Sequence, residues 1–265
     1  MEGSMTLNHI GAIDLWVEEG GTNKTPTLLL MHGLSGTGNI WQGLKPFLQE
    51  KWPGRWLIPD MRGHGRSGHS TNYSLANHAT DMSALLVDSE EVYLAGHSMG
   101  GLVGILLASG WFGVSPKAVI TTGVKVNWSE EEYSGILKLI RTPARWFNTE
   151  EEARERFILV TGLRGIVDPN SEFAQTGIVE NNGKWRLAAD NRTAMVALAN
   201  AGDVYNAAKA PILLSAGEHD QMVAIEELRS LDRNALQLAG LGHNAHVENP
   251  KSFWNLIATT AGVST

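Results

Sequence analysis

Residues 91–101 read EVYLAGHSMGG, and this stretch decides the fold. Its opening, Glu91 to Ala95, is a short apolar run of strand character. It breaks at Gly96-His97-Ser98-Met99-Gly100 and passes into an apolar helical pattern over 99–111. A serine two residues from a glycine on each side, between a strand and a helix, sits on a sharp turn. The glycines let neighbouring backbone approach closely. Taken alone, Gly-x-Ser-x-Gly arises easily by chance in a chain with 29 glycines, and a bland strand–helix turn can contain a serine. The weight lies in the context, a strand ending at the motif and a helix beginning there.

Outward from this turn, short apolar runs alternate with helical patterns, the arrangement of a parallel sheet covered by helices. Strands are predicted at 27–31 (TLLLM), 56–59 (WLIP), 91–95, 117–122, 211–216 and 234–239. The alternating segment 12–18 (AIDLWVE) reads as an exposed antiparallel edge. Helices are predicted at 39–50, 75–88, 99–111, 223–230 and 250–261. Asn249 caps the last of these, with Pro250 at its first position. The interval 124–206 breaks the rhythm. It holds no buried strand pattern, several tryptophans and charged helical stretches such as NTEEEARERF, and it is too long for a loop. It reads as a helical subdomain, which leaves 1–123 and 207–265 as the core.

Composition narrows the function. The 265 residues are 43% hydrophobic and 18% charged, as in a globular protein with a sizeable core. A net charge of −7 and the lack of a basic cluster argue against nucleic acid as a partner. Without cysteine there is no thiolate metal site and no cysteine nucleophile. No apolar run approaches the ~20 residues of a membrane span, and the start lacks signal-peptide character, so a cytoplasmic setting is expected.

A serine nucleophile needs a base and donors for an oxyanion. The strand at 27–31 runs into Met31-His32-Gly33-Leu34-Ser35-Gly36. Loops at the carboxyl ends of parallel strands converge, so the N–H groups of Leu34 and Met99 can aim at one oxygen. The motifs together resemble the α/β-hydrolase superfamily: HGLSG, DMRGHGRS at 60–67, GHSMGG, GEHD at 217–220, and Gly242-His243 followed by Glu248 and Pro250. The resemblance covers most of the chain outside 124–206. It implies a mostly parallel sheet of about eight strands, a helical cap over 124–206, and a triad in the chain order Ser98, Asp220, His243. Leu34 and Met99 match the oxyanion donors, Glu218 a loop brace, and Asp60, Arg62 and His64 a structural loop. No cofactor is implied.

His243 and His246 are spaced as a metal pair on a helical turn, but no third ligand is placed to complete the set. A serine nucleophile implies an acyl-enzyme and a carboxylic ester, lactone or thioester substrate. Trp128, Trp146 and Trp185, with His246, are candidates to line an apolar acyl or aromatic pocket. Carbon–carbon or amide hydrolysis and acyl transfer on the same triad stay open. So do a ligand sensor that uses only the pocket, and lyase or oxygenase chemistry with histidine as base.

Overall fold

The computed structural model describes residues 4–10, 13–21 and 23–265. Ala12, where the predicted edge strand starts, lies outside them. In chain order the strands are β1 (Ser4–Ile10), β2 (Ile13–Gly20), β3 (Thr27–Met31), β4 (Arg55–Pro59), β5 (Val92–His97), β6 (Ala118–Thr122), β7 (Ile178–Asn181), β8 (Lys184–Leu187), β9 (Ile212–Leu213), β10 (Ser215–Gly217) and β11 (Leu236–Leu238). The helices are α1 (Lys45–Lys51), α2 (Leu75–Ala84), α3 (Met99–Leu107), α4 (Glu130–Arg141), α5 (Glu150–Val160), α6 (Glu172–Gln175), α7 (Ala201–Ala207), α8 (Ile225–Leu231), α9 (Ala245–Glu248) and α10 (Pro250–Ala261). Two 3-10 helices cover Gly38–Leu44 and Asn191–Leu198.

The central sheet has seven strands in the order β1-β2-β4-β3-β5-β6-β9. β1 and β2 form the antiparallel edge, and every pairing from β4 to β9 is parallel. The run predicted at 211–216 is broken at Leu214. Its first part, β9, pairs with β6, and its second, β10, pairs in parallel with β11. That break accounts for a sheet of seven strands plus a pair, where about eight in one sheet were expected.

Strand periodicity sorts the core onto the two faces. From β3, Leu29 and Met31 join Leu57, Leu94, Val103 and Met82. Leu28 and Leu30 point the other way, with Trp56, Ile58, Trp41, Phe253 and Trp254. Each fully buried leucine stabilises by about 1.5–3 kcal/mol relative to exposure. β3 and β6 are buried at all five positions, which is why both read as unbroken apolar runs. α10 begins as its sequence predicts, with the Asn249 side chain accepting from Ser252 N at 3.0 Å.

Between 124 and 206 the chain forms α4–α6, a 3-10 helix, the start of α7 and a two-stranded hairpin, β7–β8. The hairpin is an addition to the all-helical expectation. Only Ile178 of its strand residues is buried and the rest are half-buried or exposed, so the sequence carries no buried-strand signal for it. Among the described residues no helix is long and apolar enough to cross a membrane.

Candidate active site

β5 delivers Ser98 to the carboxyl edge of the sheet. The main chain turns there with φ 48° and ψ −115°, a left-handed conformation that costs a non-glycine residue about 1–3 kcal/mol. Two bonds hold the turn: Ser98 N–H donates to Thr122 O at 2.9 Å, and Leu102 N–H donates to Ser98 O at 3.1 Å. A Cβ at Gly96 would lie 2.5 Å from Gly100 and Gly101 backbone atoms, so only glycine lets α3 close onto the strand end.

The loop after β3 lies directly on this turn. A Cβ on Gly33 would fall 2.6 Å from His97 Nδ1 and 3.4 Å from Ser98 Cβ. Among the described residues, the N–H groups of Leu34 and Met99 have no hydrogen-bond acceptor. Two free donors on adjacent elements beside a serine suit an incoming anion. His32 is turned away from this point. Its Nε2 accepts from Met61 N–H at 2.8 Å, which leaves the proton on Nδ1 to donate to Gly33 O at 2.8 Å.

The loops after β10 and β11 bring in the other two residues. They are stitched together by Glu218 N–H to Leu238 O at 2.9 Å and His219 N–H to Leu241 O at 2.8 Å. Glu218 braces the second loop by accepting from Gly240 N–H at 2.8 Å, and Glu248 does the same for Gly242 N–H at 2.8 Å. His243 Nδ1 lies 2.9 Å from Asp220 Oδ2. The fully buried Asp220 carboxylate also accepts from Met222 N–H at 2.8 Å and Val223 N–H at 3.1 Å through Oδ1. Nδ1 faces the carboxylate, so Nε2 is the ring nitrogen left for a proton in transit.

Ser98, His243 and Leu34 line one cavity of about 570 Å³. Its apolar wall comes from Leu34, Leu159, Val160, Ile166 and Met222, and its polar rim includes Thr161, His219, Gln221 and Glu248. Trp128, Trp146 and Trp185 do not line it, which corrects the pocket expectation for these three. Trp185 packs in the core of the inserted segment, bridged by its backbone to Phe147. Trp146 is exposed beneath the Arg186 guanidinium, and Trp128 lies beneath the Lys125 ammonium. Aromatic content signals apolar packing but not its direction. Part of the wall comes instead from the end of α5 and the turn after it (LVTG, 159–162), whose Gly162 the sequence does display.

His246 is likewise absent from the cavity wall. It is buried at 1% exposure, 4.5 Å from the Trp41 ring, 4.4 Å from His97 and 6.1 Å from Phe253. Neither of its ring nitrogens has a partner among the described residues. Among those residues no cluster of three or more histidine or carboxylate groups is arranged to hold a metal ion. Asp60, Arg62 and His64 also lie off the cavity. Asp60 accepts from Gly38 N–H at 2.7 Å and Arg66 Nε at 2.6 Å, and Arg62 forks onto Asp81 at 2.5 Å.

Burial pushes His246 down to about 3, helped by the nearby His243, and holds His78 at about 3, with Arg62 adding repulsion. Both rings titrate near 6.5 when the chain is unfolded. Below that pH the unfolded chain takes up protons that the folded chain refuses until about pH 3, so stability is lost progressively across this window. We expect Tm to fall between pH 7 and pH 4.5, and to fall less in His246→Phe. Parallel pH profiles for the two proteins in scanning calorimetry would show that His246 has no part in the acid sensitivity.

Residues 28–255 match the Alpha/beta hydrolase family, a span that takes in Ser98, Asp220 and His243 alike. The chain belongs to that family. It is 23% identical over 260 residues to 3-oxoadipate enol-lactonase 1 of Acinetobacter baylyi, covering 90% of each chain. It is 34% identical over 103 residues to the magnesium-chelatase 30 kDa subunit of Rhodobacter capsulatus, a match that spans only 36% of that protein and 37% of this one. The crystal structure of E-2-(acetamidomethylene)succinate hydrolase superimposes with a TM-score of 0.83 at 19% identity, covering 98% of this chain and 100% of that one. That likeness concerns the fold.

Proposed function

We propose that this chain is a cofactor-independent serine hydrolase that cleaves a carboxylic ester, lactone or thioester through an acyl-enzyme. The observation that carries this reading is Ser98 on a strained turn, in one cavity with a His243 whose Nδ1 faces the buried Asp220. Ser98 Oγ attacks the acyl carbon while its proton passes to His243 Nε2, and Asp220 stabilises the imidazolium. The N–H groups of Leu34 and Met99 hold the oxyanion, each such donor being worth about 3 kcal/mol in the transition state. His243 then protonates the leaving group. It next takes a proton from water, the water attacks the acyl carbon, and Ser98 is released with its proton restored.

The cavity favours an uncharged acyl substrate. Five apolar side chains line it, and no Lys or Arg does among the described residues, so a substrate carboxylate would be desolvated without a cation. In this reading residues 124–206 act as a cap that supplies part of the wall, over a core of 1–123 and 207–265. Lactones stand first in the test because the enol-lactonase match runs over nearly the whole of both chains.

The test is turnover by the wild type of a panel of neutral lactones, esters, thioesters, amides and vinylogous diketones, together with fluorophosphonate labelling read by peptide mass. We expect lactone or ester hydrolysis and a label on Ser98. Turnover of the diketones alone would replace the ester reading with carbon–carbon hydrolysis. Absence of both label and turnover would favour the sensor reading.

A further inference from the structure

The residue directly after the base, Asn244, is 97% withdrawn from solvent, at 3% exposure. Its amide Nδ2 donates to Thr161 O at 3.0 Å and to Gly162 O at 3.2 Å. Those carbonyls belong to the turn just past α5, whose own last acceptors, the carbonyls of Phe157, Ile158 and Leu159, are met by the N–H groups of Thr161, Leu163 and Gly162. Gly162 stops the helix with φ +70°. Thr161 and Gly162 themselves line the cavity, between Leu159 and Val160 on one side and Ile166 on the other.

Asn244 is also anchored on the base side. Its carbonyl accepts from Val247 N–H at 2.8 Å and Glu248 N–H at 3.0 Å, which starts α9. The carbonyl of His243 accepts from His97 Nε2 at 3.1 Å, and the His243 ring rests against Gly123, whose added Cβ would come within 3.0 Å of it. The segment is thus tied to the core at His243, through His97 and Gly123, and folds onto itself from Asn244 into α9. Asn244 is the side chain by which it grips the inserted segment's cavity wall. Water could satisfy two turn carbonyls on a surface. Here a buried amide one residue from the base does it, spending both of its N–H groups on the contact.

We propose that Asn244 is a positioning residue that joins the 159–166 wall to His243, so that how well a substrate fills the wall sets how well the base is aligned. This rests on the acyl-enzyme reading above. Its consequence is specificity expressed in kcat as well as in KM, because misplacing a reacting group by about 1 Å costs on the order of 10²-fold.

The link can be broken from either end. Asn244→Ala removes both donors. Gly162→Ala acts from the inserted segment, because a Cβ there would sit 3.1 Å from Asn244 Nδ2 on a left-handed backbone. Each variant and the double variant would be assayed on two neutral ester series, one lengthened on the acyl side and one on the alcohol side. We expect each single variant to compress the wild-type kcat ratio between best- and worst-fitting members by roughly tenfold, and the double variant to be no worse than the worse single. An equal loss of kcat/KM for every ester, fully additive losses, or an unchanged ratio would overturn the proposal.

A second measurement needs no substrate. Amide hydrogen exchange should quicken in both 163–167 and 245–249 whichever residue is altered. If each variant loosened only its own segment, the two would not be coupled. A wild type that turned over none of the esters would sink the acyl-enzyme reading, and the exchange experiment would still decide the coupling.

Discussion

Ser98→Ala should lower kcat for ester or lactone turnover by on the order of 10³-fold or more, with little change in KM. Among the described residues the hydroxyl has no hydrogen-bond partner, so on the proposed reading its loss removes the nucleophile and almost no packing. The turn itself is set by Gly96, Gly100 and the backbone bond to Thr122, none of which depends on Oγ. Far-ultraviolet circular dichroism and Tm should match the wild type. Ser98→Gly should be equally inactive yet fold at least as stably as Ser98→Ala. The left-handed cost of about 1–3 kcal/mol disappears with Cβ and offsets the extra entropy of an unfolded glycine. A Ser98→Ala enzyme that kept a tenth of the wild-type rate would move the chemistry off the serine. His243 would then be left as a base in a lyase-like or oxygenase-like reaction.

The parts that could be read from the chain are those where one residue type has a single physical use. TLLLM and AVITT are unbroken apolar runs because the sheet buries both faces of β3 and β6. GHSMGG carries its turn in its glycines, and GEHD and Gly242-His243 end at strands whose loops must meet. β1 escaped because SMTLNHI has a half-exposed pattern shared with any amphipathic loop. The hairpin β7–β8 escaped for the same reason. The tryptophans of 124–206 misled because burial is legible in a sequence and the cavity a side chain faces is not. Asn244 was invisible for a different reason: its role lies in two carbonyls 82 and 83 residues away, and carbonyls leave no mark on residue identity.

His243→Ala should cost on the order of 10³-fold or more in kcat, and His246→Ala less than about 10². The two rings lie three residues apart in GLGHNAHVENP, and the fold gives them opposite surroundings. His243 is 17% exposed, faces Asp220 across 2.9 Å and lines the cavity with Ser98. His246 is enclosed by Trp41, His97 and Phe253, has no partner on either nitrogen among the described residues, and is held neutral by burial. It lies off the cavity wall and fills space beside Trp41. Removing that ring leaves a cavity beside Trp41, so His246→Ala should lose about 2–4 kcal/mol of stability. That loss should show as a lower Tm with most of the residual kcat retained below the transition. His243→Ala should do the reverse, keeping Tm and losing the rate. EDTA should change neither the wild type nor His246→Ala. The decisive measurement is kcat and Tm for both variants side by side, with and without chelator. A dead, fully stable His246→Ala enzyme would place the proton carrier in the aromatic box, and silencing of the wild type by EDTA would restore the metal pair.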